Sequence, residues 1–342
     1  MKFKQIFFFA IAAACILSSY AVADKAPLTV IFETDMGNDI DDAMALDMLY
    51  KYQDADIIKI AAISNNKGNK YSIPFLDLMN HWYGYPNIPL ANVENQKILE
   101  GKKISYVEYV SNLKNEKEAN LFERQLTQHS FVEGSVAMYR RILSNQPDQS
   151  VVIISVGFLT NLARLMNSLP DRYSPLNGKE LISKKVKYMS LMGGDFRPDR
   201  SEEYNICNDI AAAKEVLENW PGDIFVSPWE LGGHVEFPGK IIETKLGFAP
   251  SHPLKQAYEY YLAMPYDRPT WDLTSVLYAV EPSKRYFTKS KAGYIKTDEK
   301  GLTYFNESKK GNRYLLTADE QQQERMLLRF KELIQQKPKS RH

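Results

Sequence analysis

The 342-residue chain has 44% hydrophobic and 25% charged residues and a formal net charge of +1. That is ordinary for a globular protein and long enough for one large α/β domain or two small ones. Near-neutral charge gives no electrostatic reason to bind nucleic acid. The five histidines, His81, His129, His234, His252 and His342, are scattered without metal-ligand spacing, which argues against a zinc site.

At the N-terminus, Lys2 and Lys4 precede an apolar run from Ile6 to Ile16, and Ala21-Val22-Ala23 offers a small-x-small cleavage site. This is the pattern of a secretory signal peptide over 1–23, followed by a mature region 24–342 exported to the periplasm or the medium. Ser18, Ser19 and Tyr20 interrupt the apolar run, which is too short to span a bilayer, so no stable membrane insertion is expected. Cys15 after Ala12-Ala13-Ala14 suggests a lipoprotein as the less favoured alternative, because no Leu stands three places before it. Cleavage removes two lysines and no acid, taking the formal charge from +1 to −1. It also leaves Cys207 as the only cysteine, so no intrachain disulfide is expected and Cys207 reads as a packed residue.

The apolar run Leu28-Thr29-Val30-Ile31-Phe32 predicts a buried strand. Glu33-Thr34-Asp35-Met36-Gly37-Asn38-Asp39-Ile40-Asp41-Asp42-Ala43 follows it directly, with four aspartates within eight residues. Ala43 to Tyr50 then reads as a helix, so the carboxylates crowd where a strand ends and a helix begins. Like charges that close repel strongly unless a cation sits among them. Oxygen-only ligands suit Ca²⁺ or Mg²⁺ better than zinc. An EF-hand is excluded: counted from Asp35, its third, sixth and twelfth places hold Gly37, Ile40 and Leu46. Asp41 and Asp42 fall in the first helical turn, where the helix dipole favours carboxylates.

Further along, Ile57–Ser64 predicts a second strand, Asn65-Asn66-Lys67-Gly68 a turn, Ile73–Tyr83 a helix with Trp82 in the core, and Pro86–Leu90 the start of a short strand. Residues 100–130 are polar and read as surface elements. Strands are expected at 151–155, 186–192 and 223–227, a helix at 207–219, a hairpin within 289–315, and an amphipathic helix from Gln321 to Gln336 with Met326, Leu327, Phe330 and Leu333 on its apolar side. Alternating strands and helices predict an α/β fold: a single large domain with a mostly parallel open sheet and helices on both faces. Each candidate site residue follows a strand, which is where ligands bind in open α/β sheets.

The acidic run resembles the N-terminal signature of the inosine-uridine-preferring nucleoside hydrolase family, Asp-Thr-Asp-Pro-Gly-x-Asp-Asp-Ala. Here Glu33 and Met36 replace the first Asp and the Pro, and two residues are added before Asp41-Asp42-Ala43. Three further segments follow in family order. Val151 to Ala163, with Val156-Gly157-Phe158-Leu159-Thr160-Asn161, is similar to the strand plus Gly-Pro-Leu-Thr-Asn-Leu-Ala. Met192-Gly193-Gly194, Glu203-Tyr204-Asn205 and Asp209-Ile210-Ala211-Ala212 resemble Met-Gly-Gly, Glu-Phe-Asn and Asp-x-x-Ala-Ala. Trp271-Asp272 matches the last ligand Asp, with Trp in place of the frequent His, as in purine-preferring members.

The resemblance implies a Rossmann-like fold and Ca²⁺-dependent hydrolysis of the N-glycosidic bond of ribonucleosides, on the purine side. It implies Asp35, Asp42, the Val156 carbonyl and Asp272 as metal ligands, and Asp35 as general base. Asp41, Asn65 or Asn66, Glu203 and Asn205 would hold the ribose, and Trp271 would stack on the base. Asp39 competes with Asp41 and Asp42 for a role, and the alignment rests on Asp41-Asp42-Ala43. The family's extra Asn for the ribose 5′ end has no counterpart near Arg197; Arg197 or Arg200 would then face another sugar substituent or solvent. Family members form homodimers or homotetramers. Two rivals remain at this level: an exported nucleoside- or ribose-binding protein without turnover, and a metal-dependent phosphohydrolase.

Overall fold

The computed structural model describes residues 26–95, 105–249 and 251–341. The proposed leader, with Cys15, lies outside them. The chain opens with β1 (Leu28–Thr34), β2 (Ile58–Asn65), β3 (Leu90–Asn92) and β4 (Glu133–Gly134). Then come β5 (Val151–Ser155), β6 (Val186–Met192) and β7 (Ile224–Ser227). The short strands β8 (Glu236–Phe237) and β9 (Arg268–Pro269) pair only with each other. Finally β10 (Thr288–Lys289), β11 (Gly293–Thr297), β12 (Thr303–Glu307) and β13 (Arg313–Thr317) complete one eleven-stranded sheet.

From β4 through β3, β2, β1, β5, β6 and β7 to β13 every pairing is parallel, and among the described residues of this sheet antiparallel pairing is confined to β10–β13; the separate β8–β9 pair is also antiparallel. This confirms the α/β class with a mostly parallel sheet. The run of strands explains itself through burial. Val30, Phe32, Val152 and Ile154 face one apolar layer, while Ile31, Val151 and Ile153 face the other. A strand covered on both faces needs apolar residues at every position, so these segments show no alternation of polar and apolar residues. Helices supply the two layers. Asp41–Asp54, Ser72–Trp82 and Trp271–Val280 bury their apolar residues in the first, and Ser135–Ser144, Thr160–Met166 and Ile210–Asn219 in the second.

Chain direction reverses its progress across the sheet between β1 and β5: β1, β2, β3 step one way, and β5, β6, β7 step the other. Such a switch point opens a crevice at the carboxyl ends of the strands. Register aligns those ends, with Thr34 opposite Asn65 and Glu33 opposite Ser155. The residues that follow β1, β2 and β5 therefore emerge side by side.

Two expectations are refined. The helix expected from 207 begins at Ile210, because Asp209 caps it by accepting the Ala212 N–H, while Tyr204–Cys207 forms a separate short turn of helix. The expected hairpin exists as β11–β12, but the chain then returns as β13 parallel to β7 and extends the main sheet. Arg313 fixes that return: its buried guanidinium donates to the carbonyls of Leu217, Trp220 and Gly222. Such burial of a charged group is tolerated only when its donors are satisfied. The last helix, Glu320–Gln335, starts at a capping box between Asp319 and Gln322 and buries Met326, Phe330, Leu333 and Ile334. Leu327 is only partly covered. No helix among the described residues is long and apolar enough to cross a membrane.

Candidate active site

The carboxyl ends of β1, β5 and β6 and the start of the Trp271–Val280 helix enclose a cavity of about 340 Å³. Its lining includes Asp35, Asp41, Asp42, Asp272, Val156, Glu203, Asn205 and Trp271. Segments spread over more than 230 residues of sequence thus supply one wall each. Asp35 directly follows β1, and Val156 directly follows β5, so the two sit on either side of the switch point. Gly157 is required there: a Cβ on it would stand 2.6 Å from the Asp35 nitrogen and from the Asn66 amide oxygen. Gly37 turns the chain with φ +102, a conformation that a side chain strains.

Asp41, Asp42 and Asp272 are all buried, and each offers an oxygen within 4.8 Å of the others. Asp42 is oriented by the Thr34 hydroxyl, which donates to its Oδ1. Asp41 Oδ2 accepts the Asp272 N–H at 3.1 Å, which ties the two helix starts together. Asp35 is equally buried, and its Oδ2 has no hydrogen-bond partner. Burial is the main cause that pushes all four carboxyls up. Mutual repulsion adds to it for Asp41, Asp42 and Asp272. Asp35 is pushed up to about 7 by burial, against the pull of the nearby Lys67 ammonium.

Carboxylates this dry and this close cannot all be ionised on their own. An unpartnered buried oxygen beside a group of three carboxylates, with Val156 and its carbonyl at the same wall, is an all-oxygen donor set that fits a hard divalent cation.

Around the acidic floor, Glu203 caps the Tyr204–Cys207 turn. Its Oε2 accepts Gly194 N–H at 3.0 Å and Ile206 N–H at 3.2 Å, and its Oε1 accepts Asn205 N–H at 2.9 Å. Burial raises its pKa, and these three bonds oppose the rise. Asn205 Nδ2 donates to the Val156 carbonyl at 3.0 Å, which holds that carbonyl in place and leaves it a second lone pair. Trp271 opens its helix, and its Nε1 donates to the Trp229 carbonyl at 2.9 Å. The two indoles lie 6.3 Å apart at 30° to each other, and both line the cavity.

Asn65 and Asn66 are not part of the lining. Asn65 Nδ2 donates to the Lys67 carbonyl and to Asn92 Oδ1, both at 2.7 Å. Asn66 Oδ1 accepts Phe158 N–H at 3.0 Å. These contacts brace the neighbouring loops, while Asn65 Oδ1 and Asn66 Nδ2 are buried without a hydrogen-bond partner. Arg197 and Arg200 also lie outside the lining. Arg197 pairs with Asp195 at 2.7 Å and lies over Trp229, while Arg200 donates to the Arg197 carbonyl. Glu33 is buried behind the site, accepting from Tyr139 and from Asn161 Nδ2, and burial raises it to about 7. Cys207 is half-buried on the Tyr204–Cys207 turn.

Several site residues were not singled out by sequence reasoning. Lys67 is buried and donates to Asn38 Oδ1 at 2.9 Å. Arg268 grips Asp39 with two nitrogens, Nε at 2.9 Å from Oδ1 and Nη2 on Oδ2. Tyr106 accepts Gly37 N–H at 3.0 Å and donates to the Asp39 carbonyl at 2.8 Å. Lys67 and Trp229 carried a usable signal, since each stands two residues past a strand, β2 and β7, as other site residues do. Asp39 thus belongs to an ion pair, and Asp42 stays in the carboxylate group, as the alignment on Asp41-Asp42-Ala43 requires.

A model of the family described as inosine-uridine preferring nucleoside hydrolase matches residues 30–329. Solved structures share the fold. A plant nucleoside hydrolase is 22% identical, with a TM-score of 0.66 over 91% of this chain and 100% of its own. A purine-preferring ribonucleoside hydrolase from Gardnerella vaginalis is 14% identical, with a TM-score of 0.64 over 90% and 99%. A type III effector protein, XopQ, complexed with adenosine diphosphate ribose, is 13% identical, with a TM-score of 0.63 over 91% and 94%. No curated protein matches the chain.

Proposed function

The chain belongs to the inosine-uridine preferring nucleoside hydrolase family, enzymes that act on N-glycosyl bonds, and from that premise we propose that it hydrolyses ribonucleosides to free base and ribose with Ca²⁺, favouring purines. The observation that carries this reading is one cavity with buried carboxylates as its floor and two tryptophans in its wall. Asp42, Asp272, Asp35 and the Val156 carbonyl would hold the ion, with Asp41 facing the sugar from the same carboxylate group. A bound Ca²⁺ supplies a lowered pKa for a water molecule at neutral pH and keeps the buried carboxylates ionised.

The remaining work falls to the protein. Asp35, kept ionised at the same wall, would take the proton of that water as general base. Glu203 and Asn205, each fixed by backbone contacts, would receive the ribose hydroxyls. The negative field of the floor favours the cationic ribosyl transition state. Trp271 and Trp229 would give the leaving base an aromatic wall on which a purine can stack.

The test is release of free base from a panel of ribonucleosides, with and without a Ca²⁺ chelator. Purine release abolished by the chelator supports the whole reading. Equal release from uridine removes the purine preference. Binding of nucleoside without release moves the assignment to an exported binding protein. Export itself is proposed from Lys2, Lys4 and the apolar run to Ile16. It predicts a mature N-terminus at Asp24, readable by intact mass of the secreted protein.

A further inference from the structure

In the loop after β1, Asn38 and Asp39 line the cavity, and a cation holds each of them. Lys67, just beyond β2, donates to Asn38. Arg268, in β9, reaches Asp39. The Arg268 contact does more than close the loop. The same guanidinium lies 5.3 Å from the centroid of Trp271 and 5.3 Å from that of Tyr261, and its Nη2 donates to the Tyr261 hydroxyl at 3.3 Å. Asp39 cannot swing away from it, because its own carbonyl accepts from Tyr106 and its Oδ1 also accepts the Ile40 N–H at 2.6 Å. One side chain therefore joins the loop, a tyrosine and an indole that all face the same cavity.

We propose that Arg268 is a specificity-positioning residue: by bridging Asp39 to Trp271 and Tyr261, it sets the width and orientation of the aromatic wall that receives the leaving base. The proposal rests on the nucleoside hydrolase reading above. A planar, bidentate guanidinium is needed for this. It can pair edge-on with a carboxylate while its face covers an aromatic ring, which an ammonium cannot do. The contact is half-buried, so the cation–aromatic component is partly desolvated and correspondingly stronger than on an open surface.

The experiment compares Arg268→Lys, which keeps the charge, and the double variant Arg268→Gln/Asp39→Asn, which keeps the pair neutral, with the wild type. Readouts are kcat and KM on inosine and uridine, quenching of tryptophan emission by free adenine, and Tm. The expected result for R268K is a KM for inosine raised about tenfold, the loss of one such contact, with kcat within about twofold and uridine unchanged. The double variant should reproduce the KM effect, because charge balance does not restore the bridge.

An equal loss on both nucleosides, or kinetics indistinguishable from wild type, overturns the proposal while leaving the hydrolase reading intact. A wild type silent on all nucleosides ends the hydrolase reading. The bridge is then judged by adenine quenching: weaker quenching in R268K supports it, and unchanged or absent quenching overturns it. If R268K fails to melt cooperatively, the double variant carries the same comparison.

Discussion

Removal of divalent cations should destabilise the protein at pH 8 and have little effect at pH 5. The argument starts from Asp35, whose carboxyl rises from an ordinary 3.8 to about 7 in the folded protein. A carboxyl raised on folding stabilises the fold while it is protonated. That contribution is complete below pH 3.8 and is lost as pH climbs through about 7. At about 1.36 kcal/mol per pH unit, the loss is on the order of 4 kcal/mol. Asp41, Asp42 and Asp272, pushed in the same direction by burial, add to it. A cation among the four keeps them ionised at no such loss.

The assay is thermal melting at pH 5 and pH 8, with chelator and with saturating Ca²⁺. For a chain of this size, the Asp35 share alone corresponds to a Tm drop of roughly 5–10 °C in chelator at pH 8. Ca²⁺ should reverse that drop, whereas at pH 5, where protons compete for the same oxygens, the two curves should converge. Glu33 provides an internal control. It is also raised to about 7 by burial, so it adds a loss on the order of 3 kcal/mol over the same interval. It lies behind the cavity, so no ion cancels that loss. Glu33→Gln should flatten the slope that survives in Ca²⁺, because Gln can still accept from Asn161 and donate to the Tyr139 oxygen. A chelator effect equal at both pH values, or absent at pH 8, would refute the claim that a cation sits among these carboxylates.

Three substitutions probe the site piece by piece. Asp42→Asn should lower kcat/KM on the order of 10³-fold and remove the chelator response, since several kcal/mol of transition-state stabilisation go with that carboxylate; retained activity would exclude it as a ligand. Trp271→Ala should raise KM for inosine and leave uridine nearly unchanged, and equal losses on the two would show that the indole only packs its helix. Glu203→Gln turns one acceptor of backbone N–H groups into a donor facing a donor. It should cost about 1–3 kcal/mol in stability, measured by denaturant melts, and raise KM for every ribonucleoside, with an unchanged KM arguing against a sugar contact.

How much of this was legible in the chain depends on what kind of contact each residue makes. Strands β1, β2, β5, β6 and β7 could be read because they are mostly buried and rich in apolar residues, with only Lys59 in β2 and Lys187 in β6 exposed. β13 could not: Arg-Tyr-Leu-Leu-Thr is too mixed to declare its neighbour, and the buried guanidinium of Arg313 ties it beside β7. The acidic floor was legible because Asp35, Asp41 and Asp42 lie within eight residues, and Asp272 came from the resemblance. Asn65 and Asn66 illustrate the limit. Their place after β2 is a site position, yet Asn65 Nδ2 is taken up by Lys67 and Asn92 and Asn66 Oδ1 by Phe158, leaving only Asn65 Oδ1 and Asn66 Nδ2 unpartnered. Sequence position gives the edge of the sheet on which a residue emerges but not the direction in which its side chain turns.

The four aspartates of the run carry the same point to its consequence. By charge and spacing they are interchangeable, and nothing in Asp-Met-Gly-Asn-Asp-Ile-Asp-Asp ranks them. Their roles are set by partners from elsewhere in the chain: Thr34 for Asp42, the Asp272 N–H for Asp41, Lys67 near Asp35, and Arg268 for Asp39. Asp39 is the only one paired with a bidentate cation, which offsets part of its charge although it lines the same cavity two residues from Asp41. Asp39 raises Asp41 and the Arg268 guanidinium lowers it, so losing Arg268 would push Asp41 further up. A cation site of fixed charge therefore depends on an arginine more than 220 residues away that touches none of the proposed ligand oxygens.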